Sequence, residues 1–291
     1  MTTLAATCPW CQAPRDSGPS CPKCGANYAK AEAISESSTE LQGVADPVLE
    51  WKFCVGALPA MLCIALAFHA FELGHFLQRT FLTMPVHELG HAATAWLCGY
   101  AAIPTLWKTL VPEERGFVAP LLLAGGMGYM MWRAWQKEKR LLVGLGGAVL
   151  LLQAVGTLGI KARTAEMLIL FGGDGLGMVL AALLMSSFFF GKDTQLYKGS
   201  LRWGFLAIGA AAFVDMFGTW WAARNDFGRI PFGEQEGGLL SDALRLAEDF
   251  RWSEQQIVQR YLALGISCLI ALAAVYAWGV WQARKAAAAA R

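Results

Sequence analysis

The segment Val86-His87-Glu88-Leu89-Gly90-His91 sets two imidazoles and a carboxylate in the order His-Glu-x-x-His, inside a run too apolar for a soluble surface. On a helix, positions four apart lie about 40° apart around the axis, so His87 and His91 can face one metal ion. Glu88 sits about 100° away, where its carboxylate can take a proton from a water held by that ion. These residue types predict hydrolytic zinc chemistry with Glu88 as the base, and they require a third ligand. All four histidines, His69, His75, His87 and His91, lie in one short window, so no later histidine is available and a carboxylate is expected. Downstream, the acids inside apolar runs are Asp174 and Asp215. An ionisable group in hydrocarbon is costly, which makes each a functional candidate. Asp174 has the better context, because Phe171-Gly172-Gly173-Asp174-Gly175 removes side chains around the acid and allows close helix approach. Asp215, in Val214-Asp215-Met216, has no such surroundings and stands as the alternative.

A second set of metal-ligating residues lies at the N-terminus. Cys8-Pro9-Trp10-Cys11 and Cys21-Pro22-Lys23-Cys24-Gly25 form two Cys-x-x-Cys knuckles joined by a short polar loop. Four thiolates at that spacing suit a closed tetrahedral structural zinc better than two disulfides, and leave no open position for catalysis. The second knuckle has a form common in zinc ribbons. The ribbon is expected to build a small docking or regulatory module for a protein partner.

His69, Glu72 and His75 follow at three-residue steps on one helix face. A tight hairpin near 77–81 would bring His69 and Glu72 level with His87 and His91, where they would orient a ligand imidazole or carry protons. The plainer reading is an internally satisfied polar pair. Cys54, Cys63, Cys98 and Cys268 are read as small packing residues.

The elements that must position these groups are membrane helices. Apolar residues make up 56% of the chain and charged residues only 16%, which places it outside soluble globular composition. The net charge of +2 and the lack of a basic block argue against a nucleic-acid partner. Bilayer-length apolar windows fall at about 53–77, 81–105, 117–135, 141–160, 167–190, 202–223 and 257–282. The expectation is an all-α polytopic membrane bundle of six or seven spans. Residues 1–28 form the ribbon, 29–50 a linker, 51–222 the membrane core, 223–256 an interfacial loop with a short helix, and 257–291 the last span and tail. Pro85 either starts or kinks the helix of the histidine pair, and the stretch from Ala101 to Trp107 is expected to leave regular helix. Ser241 is placed to cap a helix from Asp242, and Ser253 with Gln256 to form a capping box. A multi-pass protein of a bacterial cell membrane is expected, with the thiolate ribbon in the reducing cytosol.

His87-Glu88-Leu89-Gly90-His91 within a membrane helix, followed two spans later by Asp174-Gly175, resembles the site-2 protease family of intramembrane zinc metalloproteases over about residues 80–180. The resemblance implies zinc held by His87, His91 and Asp174, water activated by Glu88, and a peptide bond cut in or near a transmembrane segment of a protein substrate. The stretch Glu166 to Gly173 holds neither the Asn nor the Pro usual in that family's second motif, and two apolar segments rather than one separate the ligand helices. A non-enzymatic membrane metal-binding or transport protein is the alternative, and a prenyl-protein-type membrane endopeptidase a further one.

Overall fold

The computed structural model describes residues 7, 8, 11, 13–31, 46–190, 201–235 and 239–290. Helix α1 (Pro47–His69) starts where Asp46 accepts the Val48 N–H at 3.0 Å and Pro47 fills the first turn, two reinforcing start signals. The chain bends at Ala70 and Phe71. Helix α2 (Glu72–Gln78) then runs through a π-helical turn, Arg79–Thr83, into α3 (Met84–Leu97). Pro85 lies at the start of α3, directly after the π turn and inside a helical run unbroken from Glu72 to Leu97, so its missing N–H leaves a gap in the backbone ladder there. After Gly99, at φ 89°, the chain forms the antiparallel hairpin of β1 (Ile103–Pro104) and β2 (Thr109–Leu110), so this stretch does leave helix as expected.

Helices α4 (Val118–Gln136) and α5 (Arg140–Ala154) form an antiparallel pair, and a second π turn, Val155–Gly159, leads towards α6 (Ala162–Ser186). Helix α7 covers Leu201–Ala223. A hairpin of β3 (Glu234–Gln235) and β4 (Leu239–Leu240) follows. It delivers the chain to the short α8 (Asp242–Glu248), and the long α9 (Glu254–Ala289) closes the described chain. Ser241 caps α8, and Ser253 with Gln256 forms the expected capping box on α9.

The chain is mostly helical, and five helical segments among the described residues are long and apolar enough to cross a membrane: Pro47–His69, Arg140–Gly159, Ala162–Phe189, Leu201–Ala223 and Glu254–Ala289. The sequence predicts six or seven, and two of the expected windows do not yield such a helix. The window 81–105 yields α3, the end of a helical run unbroken from Glu72 to Leu97, in which His75, Arg79, His87, Glu88 and His91 dilute the apolar character. The window 117–135 yields α4, whose glycines, tryptophans and Arg133 dilute its apolar character. Most of the expected linker, residues 32–45, lies outside the described residues.

Helix α6 is the hub, packing on α3, α7, α8 and α9, and with α7 it is the most buried of the long apolar helices. The α3–α6 contact is made backbone to backbone. A Cβ at Gly90 would fall on the Gly172 carbonyl, so the glycine inside the histidine motif permits the crossing. A buried bidentate pair, Arg202 to Glu50 at 2.8 and 3.1 Å, ties α7 to α1.

Candidate metal centres

His87 and His91 sit on the buried face of α3, and hydrogen bonds at their backs fix both rings. His91 Nδ1 donates to the Ile169 carbonyl at 2.7 Å, since a carbonyl can only accept. His87 Nδ1 donates to Asp174 Oδ1 at 2.8 Å. In neutral rings so held, both Nε2 atoms bear lone pairs. Those atoms lie 3.1 Å apart, and Asp242 Oδ2 stands 3.3 Å from one and 3.0 Å from the other. Three electron-rich atoms in such a triangle need a cation between them. A proton can bridge one edge; a metal ion satisfies all three. Zinc–nitrogen and zinc–oxygen bonds of about 2.0–2.1 Å in a tetrahedron space their ligands by about 3.3 Å, close to each edge observed here.

The residues grouped around the two Nε2 atoms differ from the expected ligand set, with Asp242 standing where Asp174 was expected. Asp174 is not on the Nε2 side of the histidines: it lies behind His87, and its other oxygen accepts the Trp220 Nε1–H at 2.8 Å. Trp220 is itself stacked on Tyr261 with ring centroids 4.1 Å apart, and Tyr261 stacks on Phe171 at 4.5 Å. Asp174 therefore orients a ligand ring, the usual place for a carboxylate that supports a metal-bound imidazole. The carboxylate facing the ring pair is Asp242, the first residue of α8. Burial acts to raise its pKa, yet positive charge on the facing His91 and His87 rings outweighs that and holds it well below the usual carboxylate range; with the rings neutral, a metal cation would have to supply that charge. Helix α8 is pinned over the site by Leu246 and Ala243 on its buried face and by Arg245, which donates to Glu166 on α6 at 2.7 Å.

Glycines explain how the rings fit. A Cβ at Gly173 would lie 2.5 Å from both His87 Cε1 and His91 Nε2, so any side chain there would occupy the metal pocket. The glycine-rich run does bring α6 close, as its composition predicts, but the acid it carries turns to the rear of the ring.

Glu88 is buried and held from the hairpin. Thr109 Oγ1 on β2 donates to Glu88 Oε2 at 2.7 Å and also lies 2.8 Å from the Glu88 carbonyl. Glu88, His91, Thr109, Arg163 and Asp242 line one cavity of about 990 Å³ between the hairpin, the start of α6 and α8. It is large enough for a stretch of extended peptide.

His69 and Glu72 do not approach this centre. His69 lies 3.5 Å from Asp215 Oδ1 and Glu72 is exposed, because the bend at Ala70 turns the polar face of α2 towards α7. Asp215, the alternative third ligand, belongs to that other cluster. Sequence reasoning missed Asp242, Thr109 and Trp220. For Asp242 the only local mark was the cap at Ser241, which signals a helix start and nothing about metal.

At the N-terminus the four thiols of Cys8, Cys11, Cys21 and Cys24 come together, with all four sulfurs within 4.8 Å of one another. Cys8 and Cys24 are 3.8 Å apart and Cys11 and Cys21 3.6 Å apart, against about 3.8 Å for a tetrahedral zinc tetrathiolate. All are free thiols. Each knuckle is closed by a backbone bond, Cys8 N–H to Ala13 O and Cys21 N–H to Ala26 O. The backbone amide of Cys24 does most to lower the Cys21 thiol, to about 6, with further help from the Lys23 amide and Cys11. Cys24 is pushed the other way, up to about 12: the bond from the Ala26 amide acts to lower it, yet desolvation and the neighbouring Cys11, Cys21 and Cys8 sulfurs outweigh that, so without a cation the crowded sulfurs resist becoming thiolates together.

Searches against family models, curated proteins and solved structures found no match to this chain.

Proposed function

We propose that the chain is an intramembrane zinc metalloprotease of the site-2 protease type, cutting a peptide bond in or near a transmembrane segment of a protein substrate. The observation that carries this reading is the triangle of His87 Nε2, His91 Nε2 and Asp242 Oδ2, with Glu88 next to it at the wall of a peptide-sized cavity. The proposed ligands are His87, His91 and Asp242. Zinc bound there supplies a Lewis acid for water and for a peptide carbonyl.

The chain's own residues do the rest. Asp174 and the Ile169 carbonyl fix the tautomers of His87 and His91, so both present lone pairs. Glu88 receives the proton of the attacking water and passes it to the leaving amine, while Thr109 holds its carboxylate in place. Hairpin, α6 and α8 line the half-open cavity in which the scissile bond would lie. A transmembrane substrate must unwind locally, since a helical peptide bond is shielded by its own backbone. The ribbon holds a structural zinc on Cys8, Cys11, Cys21 and Cys24, faces the reducing cytosol, and docks a protein partner.

Glu88→Gln is the test. The full-length chain is purified in detergent and incubated with the intact membrane proteins whose fragments accumulate in wild-type cells. Loss of cleavage with zinc content retained is expected. Cleavage that persists in Glu88→Gln overturns the assignment, and altered metal flux in its place supports transport.

A further inference from the structure

The geometry points to a second divalent-metal site, formed by His69, His75 and Asp215 and independent of the Glu88 centre. His69 ends α1 and His75 lies on α2; the bend between these helices sets their rings edge to face with centroids 4.5 Å apart. Both rings face Asp215 on α7, whose side chain is 0% exposed. Oδ1 lies 2.7 Å from His75 Nε2 and 3.5 Å from His69 Nδ1, and the three ligand atoms fall within 4.8 Å of one another.

Hydrogen bonding alone leaves this cluster unsatisfied. His69 Nδ1 is buried and makes no hydrogen bond of sound geometry with any described residue, which is costly for a buried polar atom. A cation between the two rings and Oδ1 gives that nitrogen a partner. Tetrahedral zinc spaces its ligands by about 3.3 Å. The His69 edge already fits that value. The His75 edge must open by about 0.6 Å, which that ring can do because it sits 41% exposed on a seven-residue helix.

Arg79 donates to Asp215 Oδ2 at 3.0 Å, so the carboxylate is anchored through one oxygen and offers the other. The same guanidinium charge opposes a dication, which makes the site weaker than the His87 centre and exchangeable. Two imidazoles and one carboxylate select zinc-like borderline ions over magnesium or calcium. His69 and His75 are 26% and 41% exposed, so the described residues do not close off a fourth ligand position.

The test is zinc stoichiometry by elemental analysis on the full-length chain in detergent, dialysed against buffered free zinc. The variants compared are His69→Ala/His75→Ala and His87→Ala/His91→Ala. Each pair is expected to lose one equivalent, and a chelator titration of wild type should remove the His69/His75 equivalent first. Loss in the His87/His91 variant alone supports only the first centre and overturns this proposal. If the His69/His75 variant fails to fold, cobalt is added to a chain carrying His87→Ala, His91→Ala and serines in place of the four ribbon cysteines. Uptake of one equivalent with a visible d–d spectrum supports the site, and no uptake overturns it.

Discussion

Replacing Gly173 by alanine places one methyl group where the metal ligands stand, and its effect can be worked from the distances. The new Cβ would lie 2.5 Å from His87 Cε1 and His91 Nε2 and 2.7 Å from His91 Cε1. Carbon atoms pack at about 3.5–4.0 Å, so each ring must retreat by about 1 Å. Neither can swing aside freely, because both Nδ1 atoms are tied, at 2.8 Å to Asp174 and at 2.7 Å to Ile169. Overpacking of this kind costs about 1–3 kcal/mol. If that strain is released when the rings part, zinc affinity at this centre falls by about 5- to 150-fold, at 1.4 kcal/mol per decade. The assay is zinc competition against a chromophoric chelator on the full-length chain with the ribbon cysteines changed to serine, alongside thermal unfolding. Gly125→Ala, where a Cβ meets nothing within 4 Å, serves as control. Zinc affinity in Gly173→Ala equal to wild type, with unchanged stability, would refute the placement of the rings against α6.

Asp174→Asn is expected to weaken zinc by about 10–100-fold without abolishing it, because one amide oxygen cannot serve both His87 and Trp220. Asp242→Ala should weaken it more, and the reverse order in the chelator assay would make Asp174 the ligand. Thr109→Val removes the donor to Glu88, a hydrogen bond to a charged group worth about 1.5–3 kcal/mol, so cleavage should drop by at least about tenfold while zinc content measured on the same sample stays constant. Leu246→Ala touches no ligand but opens the buried face of α8 at a cost of about 2–5 kcal/mol. Faster amide exchange across 240–248 together with weaker zinc binding would show that the docking of α8 carries Asp242 to the site, and normal zinc affinity despite faster exchange would disconnect the two.

Much of this protein is written in short-range patterns. His87 and His91 share a face because helical periodicity puts them there. The glycines around Asp174 announce a close helix crossing, because only glycine lets backbones touch, and they provide one between Gly90 and Gly172. The four cysteines meet because each knuckle closes on itself through local backbone bonds. Asp46, Ser241 and Ser253 mark helix starts through bonds that span only two or three residues.

What depends on which surfaces meet after folding was not legible. The sense in which Asp174 turns, to the back of His87 and not to its Nε2, follows from the crossing of α3 with α6 and from Trp220 on a third helix. Asp242 reaches the histidines because α8 folds back over α6 and is held there by Leu246 and Arg245. An acid in an apolar run carries a hydropathy mark, and Asp242, on a short helix in a polar segment, carries none. His69 and His75 meet Asp215 through the bend at Ala70, whose direction is set by packing against α7. A helical period says which residues share a face; it does not say what that face will find.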